Sequence, residues 1–218
     1  WPGSPRPWWR GLGPGALLVA FCAALVLAVP LRADSVPRGE ALGVATARLP
    51  SFFPGDWRPA GEITLHDLEG GTLAYAFIFS ARQGPASAED QEDDPKAFVA
   101  AQRQRLVAAG KGEATNAPEL YGADRFATIV VSAEDTEPPV LRCFRGLPGQ
   151  MVREPEALAL AGGKAGAGTW KVRHCLLLGF FDEAFLVDPE PGGGESLVVD
   201  LRTGSVVAHR AALERARK

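Results

Sequence analysis

The stretch from Arg125 to Gly146 constrains the fold more than any other part of this chain. It reads Arg-Phe-Ala-Thr-Ile-Val-Val-Ser-Ala, then Glu-Asp-Thr-Glu, then Pro-Pro-Val-Leu-Arg-Cys-Phe-Arg-Gly. Two apolar, β-branched runs flank a short polar link, which predicts a pair of strands at 125–133 and 139–145. The Pro-Pro step falls just before the second run, where a missing backbone donor does least harm. Two paired strands cannot stand alone in water, so the rest of the chain must add strands or a covering helix.

Further strands are legible on either side. Ile63 to Asp67 alternates, Leu68-Glu-Gly-Gly71 turns, and Thr72 to Phe79 runs on, which predicts a hairpin whose glycines take positive φ. Later strands are expected at Trp170–Phe181 and Phe185–Asp188, with a strand–turn–strand at Leu197–Ala208 about Gly204. Helices are fewer. Glu40–Leu49 carries good helix formers, with Pro50 expected to stop it. Asp94 before Pro95 reads as an N-cap followed by proline at the first helical position. That helix is expected to run to Ala109, close at Gly110, and pack across the sheet. Glu154–Ala161 suggests a short helix and Gly162–Thr169 a flexible loop. The expected fold is therefore α+β, an antiparallel sheet of about five to seven strands packed by one main helix.

The chain is expected to divide in order. Residues 16–31 are sixteen apolar residues without a charge, preceded by Arg6 and Arg10 and followed by Leu31-Arg32-Ala33. This is the pattern of an export signal, so 1–33 is expected to be a hydrophobic helix, either a cleaved signal peptide or an uncleaved membrane anchor. Both alternatives place the rest of the chain outside the cytoplasm. Trp1 at the start suits a fragment or a processed chain. Residues 34–62 are expected to form a linker, the short helix and a loop in which Phe52, Phe53 and Trp57 cap the core. Residues 63–210 form the α+β domain, with a disordered acidic insert at 83–95, and 211–218 is a basic tail.

Chemistry is harder to find. Net charge is −3, with no basic surplus to suggest nucleic acid. Five acids crowd Glu89 to Asp94, but their spacing does not fit a calcium loop. Gly162-Gly163-Lys164 has the lysine of a phosphate loop but no Ser or Thr after it. Ser132 lacks the flanking glycines of a nucleophile elbow. His66-Asp67 and Asp182-Glu183 offer metal-ligand types, yet three histidines without paired spacing favour surface roles. With Cys22 in the apolar leader, Cys143 and Cys175 remain. In an exported chain they form either a disulfide, Cys143–Cys175, or two buried free thiols. Cys175 as a nucleophile would need His66 or His209, since His174 beside it on a strand points to the opposite face. The residues therefore suggest no catalytic site, no cofactor and no metal.

Two stretches carry a family likeness. Asp67-Leu-Glu-Gly-Gly-Thr-Leu-Ala-Tyr-Ala-Phe77, and Phe126 to Ala133 followed by Pro138-Pro-Val-Leu141 and Gly146, resemble the propeptide and inhibitor domains of streptopain-type cysteine peptidases. Val199 to Val207 is similar to the strand–turn–strand of PepSY domains. The likeness covers about 80 of the 218 residues. It departs at Arg142-Cys143-Phe144, where the family has Tyr-Ser, and in the acidic insert. The resemblance implies a cystatin-like helix on an antiparallel sheet, standing alone and exported. The expected function is a non-catalytic protein-binding or peptidase-inhibitor-like module, its partner a peptidase or another exported protein. Contact is expected through Ser51–Pro59 or Gly146–Gln150. The alternatives are an envelope structural protein tethered through residues 16–31, and a thiol-dependent enzyme.

Overall fold

The computed structural model describes residues 35–81, 93–111, 116–135, 139–166, 168–179 and 183–218. The expected leader helix at 1–33 and nearly all of the acidic insert lie outside these residues. Ser35–Lys218 forms one compact unit, built on a single eight-stranded sheet in the order β4-β3-β2-β1-β5-β6-β7-β8. The strands are β1 Trp57–His66, β2 Thr72–Ala81, β3 Phe126–Ser132, β4 Val140–Arg145, β5 Thr169–Leu176, β6 Ala184–Glu190, β7 Leu197–Asp200 and β8 Ser205–Ala208. The α+β class holds, but the sheet is mixed rather than antiparallel. Two antiparallel meanders, β1–β4 and β5–β8, meet at a parallel seam between β1 and β5. That seam holds only two registered pairs, Leu65 with Cys175 and His66 with Leu176.

The hairpin β1–β2 forms for the reason its sequence gives. Gly70 takes φ +88°, and Asp67 Oδ1 accepts from the backbone N–H groups of Glu69 (2.8 Å) and Gly71 (2.7 Å). The carboxylate thus closes the turn on itself. β1 starts earlier than expected, at Trp57, and takes in Pro59 and Gly61. Proline is tolerated there because β5 pairs only with the far end of β1, so Pro59 faces no second neighbour. A register shift between Pro59 and Gly61 absorbs the irregularity.

Among the described residues, five α-helices cover both faces, where one main helix was expected. They are α1 Arg38–Phe52, α2 Pro95–Ala108, α3 Gly149–Val152, α4 Glu154–Ala165 and α5 His209–Ala216, with a short 3₁₀ turn at Pro118–Tyr121. On the first meander, Phe77, Phe79, Ile129 and Val131 point to the back of the sheet and bury Ala41, Ala45 and Leu49 of α1. Their alternate neighbours Ile78 and Phe126 point to the front and bury Phe98, Val99 and Leu106 of α2. Both faces of β3 are therefore covered, which is why all seven of its residues are buried. α1 runs through Pro50, which was expected to stop it. The proline lies in the last turn, so the i→i−4 hydrogen bond it cannot donate is lost at the very end of the helix, with only Ser51 and Phe52 beyond it. The Asp94 cap is as read, accepting from the Lys96 N–H at 2.9 Å.

The second meander repeats the first with its faces exchanged. α4 precedes it as α1 precedes β1, but packs on the front, with Ala157 and Ala161 against Phe185, Val187 and Val199. α5 covers the back, where Ala212 meets Leu176, Leu186 and Val198. The helix expected to end at Ala161 extends to Ala165 across Gly162 and Gly163, since Trp170 and the sheet hold it where propensity would not. The basic tail is helical from His209.

Candidate functional site

A groove of about 510 Å³ lies on the front of the sheet, over the seam between the two meanders. Its walls come from the helices on either side. α2 contributes Lys96 and Val99, α3 contributes Gln150, and α4 contributes Glu154 and Leu158. Ile63 of β1 and Cys175 of β5 line it from the sheet. The groove exists because α2 covers one meander and α4 the other, leaving the seam between them open. Beyond Gln150 lies a second, smaller cavity of about 240 Å³, lined by residues including Tyr121, Arg142 and Glu183.

Below α4, Arg153 organises the adjoining polar network. Its guanidinium donates to both oxygens of Glu156 (2.8 Å each), to Glu183 Oε2 (3.0 Å) and to the Leu201 carbonyl (3.3 Å). The hydrogen bonds to Glu156, with the one to Glu183, hold Arg153 even more firmly charged than usual against the cost of its burial. Arg103 of α2 donates to the Val152 carbonyl, tying α2 to the end of α3. An added Cβ at Gly149 would collide with the Glu183 carboxylate, which would have to swing aside and give up its place against Arg153.

The two cysteines do not form the expected disulfide; both are free thiols. β4 and β5 are four strand positions apart in the sheet, on the order of 19 Å, far beyond the reach of a bond. They also face opposite ways. Cys143 is registered with Ile129, whose side chain points back, and Cys175 with Leu65, which points to the front. Cys143 is exposed. Burial pushes the Cys175 thiol up to about 12, with Glu154 adding to the shift and Lys96 opposing it. A thiol held protonated in this way is a poor nucleophile.

The three histidines, read as scattered, gather instead on the back of the sheet. The His66 and His174 rings lie 4.3 Å apart between centroids. His66 Nδ1 donates to the Gly70 carbonyl at 3.2 Å, and His209 Nε2 to the Leu68 carbonyl at 2.6 Å. Both rings thus brace the β1–β2 turn. Burial, followed by His66 and Arg173, moves the His174 pKa below the ordinary imidazole value. No spacing in the sequence could reveal this group, because parallel pairing of β1 with β5 is what brings residues 66 and 174 together. Cys175 is separated from all three by the sheet itself, so no thiol–imidazole pair forms.

The remaining candidates have structural duties. Asp67 closes its turn, Glu183 serves Arg153, and Ser132 Oγ accepts from the Glu134 N–H at 3.1 Å. Asp182 lies outside the described residues. Among the described residues, no group of three or more His, Cys, Asp or Glu could hold a metal ion, and no helix is long and apolar enough to cross a membrane. Of the two expected contact loops, Gly146–Gln150 is not a surface loop, since all five residues are buried and Gly149 and Gln150 open α3. Ser51–Pro59 does reach the surface through Phe52. Phe53 and Trp57 instead pack together beneath the Arg145 guanidinium, 5.7 and 5.6 Å from their centroids.

No protein-family model, curated protein or solved structure matches this chain.

Proposed function

We propose that this chain is a non-catalytic binding domain that works outside the cytoplasm and holds a segment of another protein in the groove over the β1–β5 seam. One observation carries the reading. The groove is the size of a ligand site, and its walls combine apolar residues with a few polar groups. Its one potential nucleophile, Cys175, is held as a neutral thiol, and every histidine is on the far side of the sheet. A surface of that kind favours binding over turnover. The leader pattern at residues 1–33 supports export, and the likeness to peptidase propeptides favours a peptidase-inhibitor-like role among binding roles.

The test is site-specific photo-crosslinking in the native host. A photoreactive residue replaces Ala100, which lines the groove, and Arg210 on α5 serves as the control position. The expected outcome is one discrete adduct from position 100, absent from position 210 and abolished by a groove-filling Leu158→Trp change. Identical adduct patterns from both positions, or none from position 100, would sink the proposal.

A further inference from the structure

Gln150 stands between two cavities. It is only 7% exposed, yet it lines both the large groove and the smaller cavity beyond it. Its carboxamide makes no hydrogen bond among the described residues and is not one of the buried polar atoms left without a partner, so it is open to the cavities it lines and free to meet a bound group there. A carboxamide presents one donor group and one acceptor side by side. Its natural complement is a group that presents an acceptor and a donor together, as a peptide main chain does and a hydrocarbon chain cannot.

The charges at the rim narrow the choice further. Lys96 of α2 and Glu154 of α4 stand on opposite walls, and neither enters an ion pair among the described residues. Both act on the Cys175 thiol, so they flank the same part of the groove. Ile63, Val99 and Leu158 supply apolar contact near it. Arg103 and Glu62 also line the groove but are tied to the Val152 carbonyl and to Arg38, so one wall offers Lys96 as a cation, the other Glu154 as an anion, and Gln150 an amide. A nucleotide or polyanion is disfavoured by the balanced charge, and a lipid chain by the amide.

We propose that the groove binds an extended peptide segment with a short apolar centre, one acidic flank and one basic flank. Gln150 pairs with its main chain, Lys96 meets the acidic side chain, and Glu154 meets the basic one. This rests on the binding reading above and specifies its ligand.

The test titrates the full chain with four blocked peptides, Ac-Glu-Leu-Ala-Val-Lys-NH2, its analogue N-methylated at the central Ala amide, a version with Gln at both ends, which should bind more weakly than the first, and a version with Lys at both ends. Backbone amide NMR reports the site and calorimetry the affinity. The first peptide is expected to shift Val99, Gln150 and Leu158. N-methylation or Gln150→Leu should each weaken binding about tenfold, the scale of one well-buried hydrogen-bonded pair. Lys96→Glu, at an exposed position that does not threaten folding, should weaken the first peptide several-fold and reverse the preference toward a peptide with two basic ends. If the N-methylated peptide binds as well as its parent, or Lys96→Glu leaves the preference unchanged, the peptide assignment is overturned. A crosslinked adduct at position 100 under those same outcomes would leave the binding reading standing and remove only this ligand.

Discussion

The two meanders share one plan and differ in what was added to it. Each begins with a helix and runs as four antiparallel strands, and the two present their first helices to opposite faces. The first has long strands, with ten residues in each of β1 and β2 and an aromatic core of Phe77, Phe79 and Phe126. The second has four-residue strands at β7 and β8 and an aliphatic core apart from Phe185. The decisive difference is α2, inserted between β2 and β3 with no counterpart between β6 and β7. That single departure from the shared plan supplies the second wall of the groove. The difference teaches that the repeated parts make the sheet and the unrepeated part makes the site.

The sharpest way to break this comparison is thiol labelling, because each half holds one cysteine. In the folded, reduced protein at neutral pH, Cys175 at the seam should react about a thousandfold more slowly than an ordinary exposed thiol, since burial pushes its pKa up to about 12. Cys143 on the outer strand should label readily, as its exposure allows. Mass spectrometry after brief alkylation separates the two. Fast labelling at both positions would mean the seam opens and the halves are not held as described.

Core truncation weighs the halves against each other. Phe79 is 0% exposed, and Phe79→Ala should cost about 4 kcal/mol, against about 2 kcal/mol for Val187→Ala at the corresponding strand of the second half. Urea denaturation measures both, and equal losses would show that the shorter meander carries as much of the stability. An effect no larger than the Val187 truncation is expected at Arg153, which is 14% exposed and anchors the start of α4 to Glu183, just before β6, and to the β7–β8 turn. Arg153→Met strands Glu183 and Glu156 without their cation and should cost about 2 kcal/mol, discounted from a fully buried pair because both carboxylates reach solvent. A loss confined to α4, followed by amide exchange, would tie that helix to the second half alone.

The smallest effect concerns the back of the seam. His174 is held below the ordinary value near 6.5 by burial first, then by His66, Arg173 and His209, with Asp188 acting the other way. Between the folded and unfolded values the unfolded chain binds more protons, so stability rises with pH there. It is full above pH 6.5 and is lost as pH falls through the folded-state value. A pH series of urea midpoints should show this slope in the parent protein and a shallower one in His174→Gln.

What could be read from the sequence follows the range of the forces involved. The β1–β2 turn, the Asp94 cap and the β3–β4 pair depend on residues within a few positions of one another, and they form as written. The β1–β5 pairing joins Leu65 to Cys175, so no periodicity records it. Everything that depends on it was illegible, including the groove, the histidine cluster and the opposite orientation of the two thiols. α1 through Pro50 and α4 through Gly162 and Gly163 were read short because packing against the sheet overrides local propensity. Gly146–Gln150 looked like a surface turn by composition, and only its burial under α2 and against the Arg153 network makes Gln150 a candidate ligand-binding residue.

The narrowness of the parallel seam has a mechanical consequence. β1 and β2 share nine registered pairs, whereas β1 and β5 share two. The sheet is therefore two stiff plates joined by a thin strip, and bending concentrates along that strip. A molecule filling the groove would span the joint from the front and brace it, while the tilted imidazole pair of His66 and His174 lies along its reverse. An occupied groove would thus set the angle between the plates, and occupancy would appear as a change in stiffness.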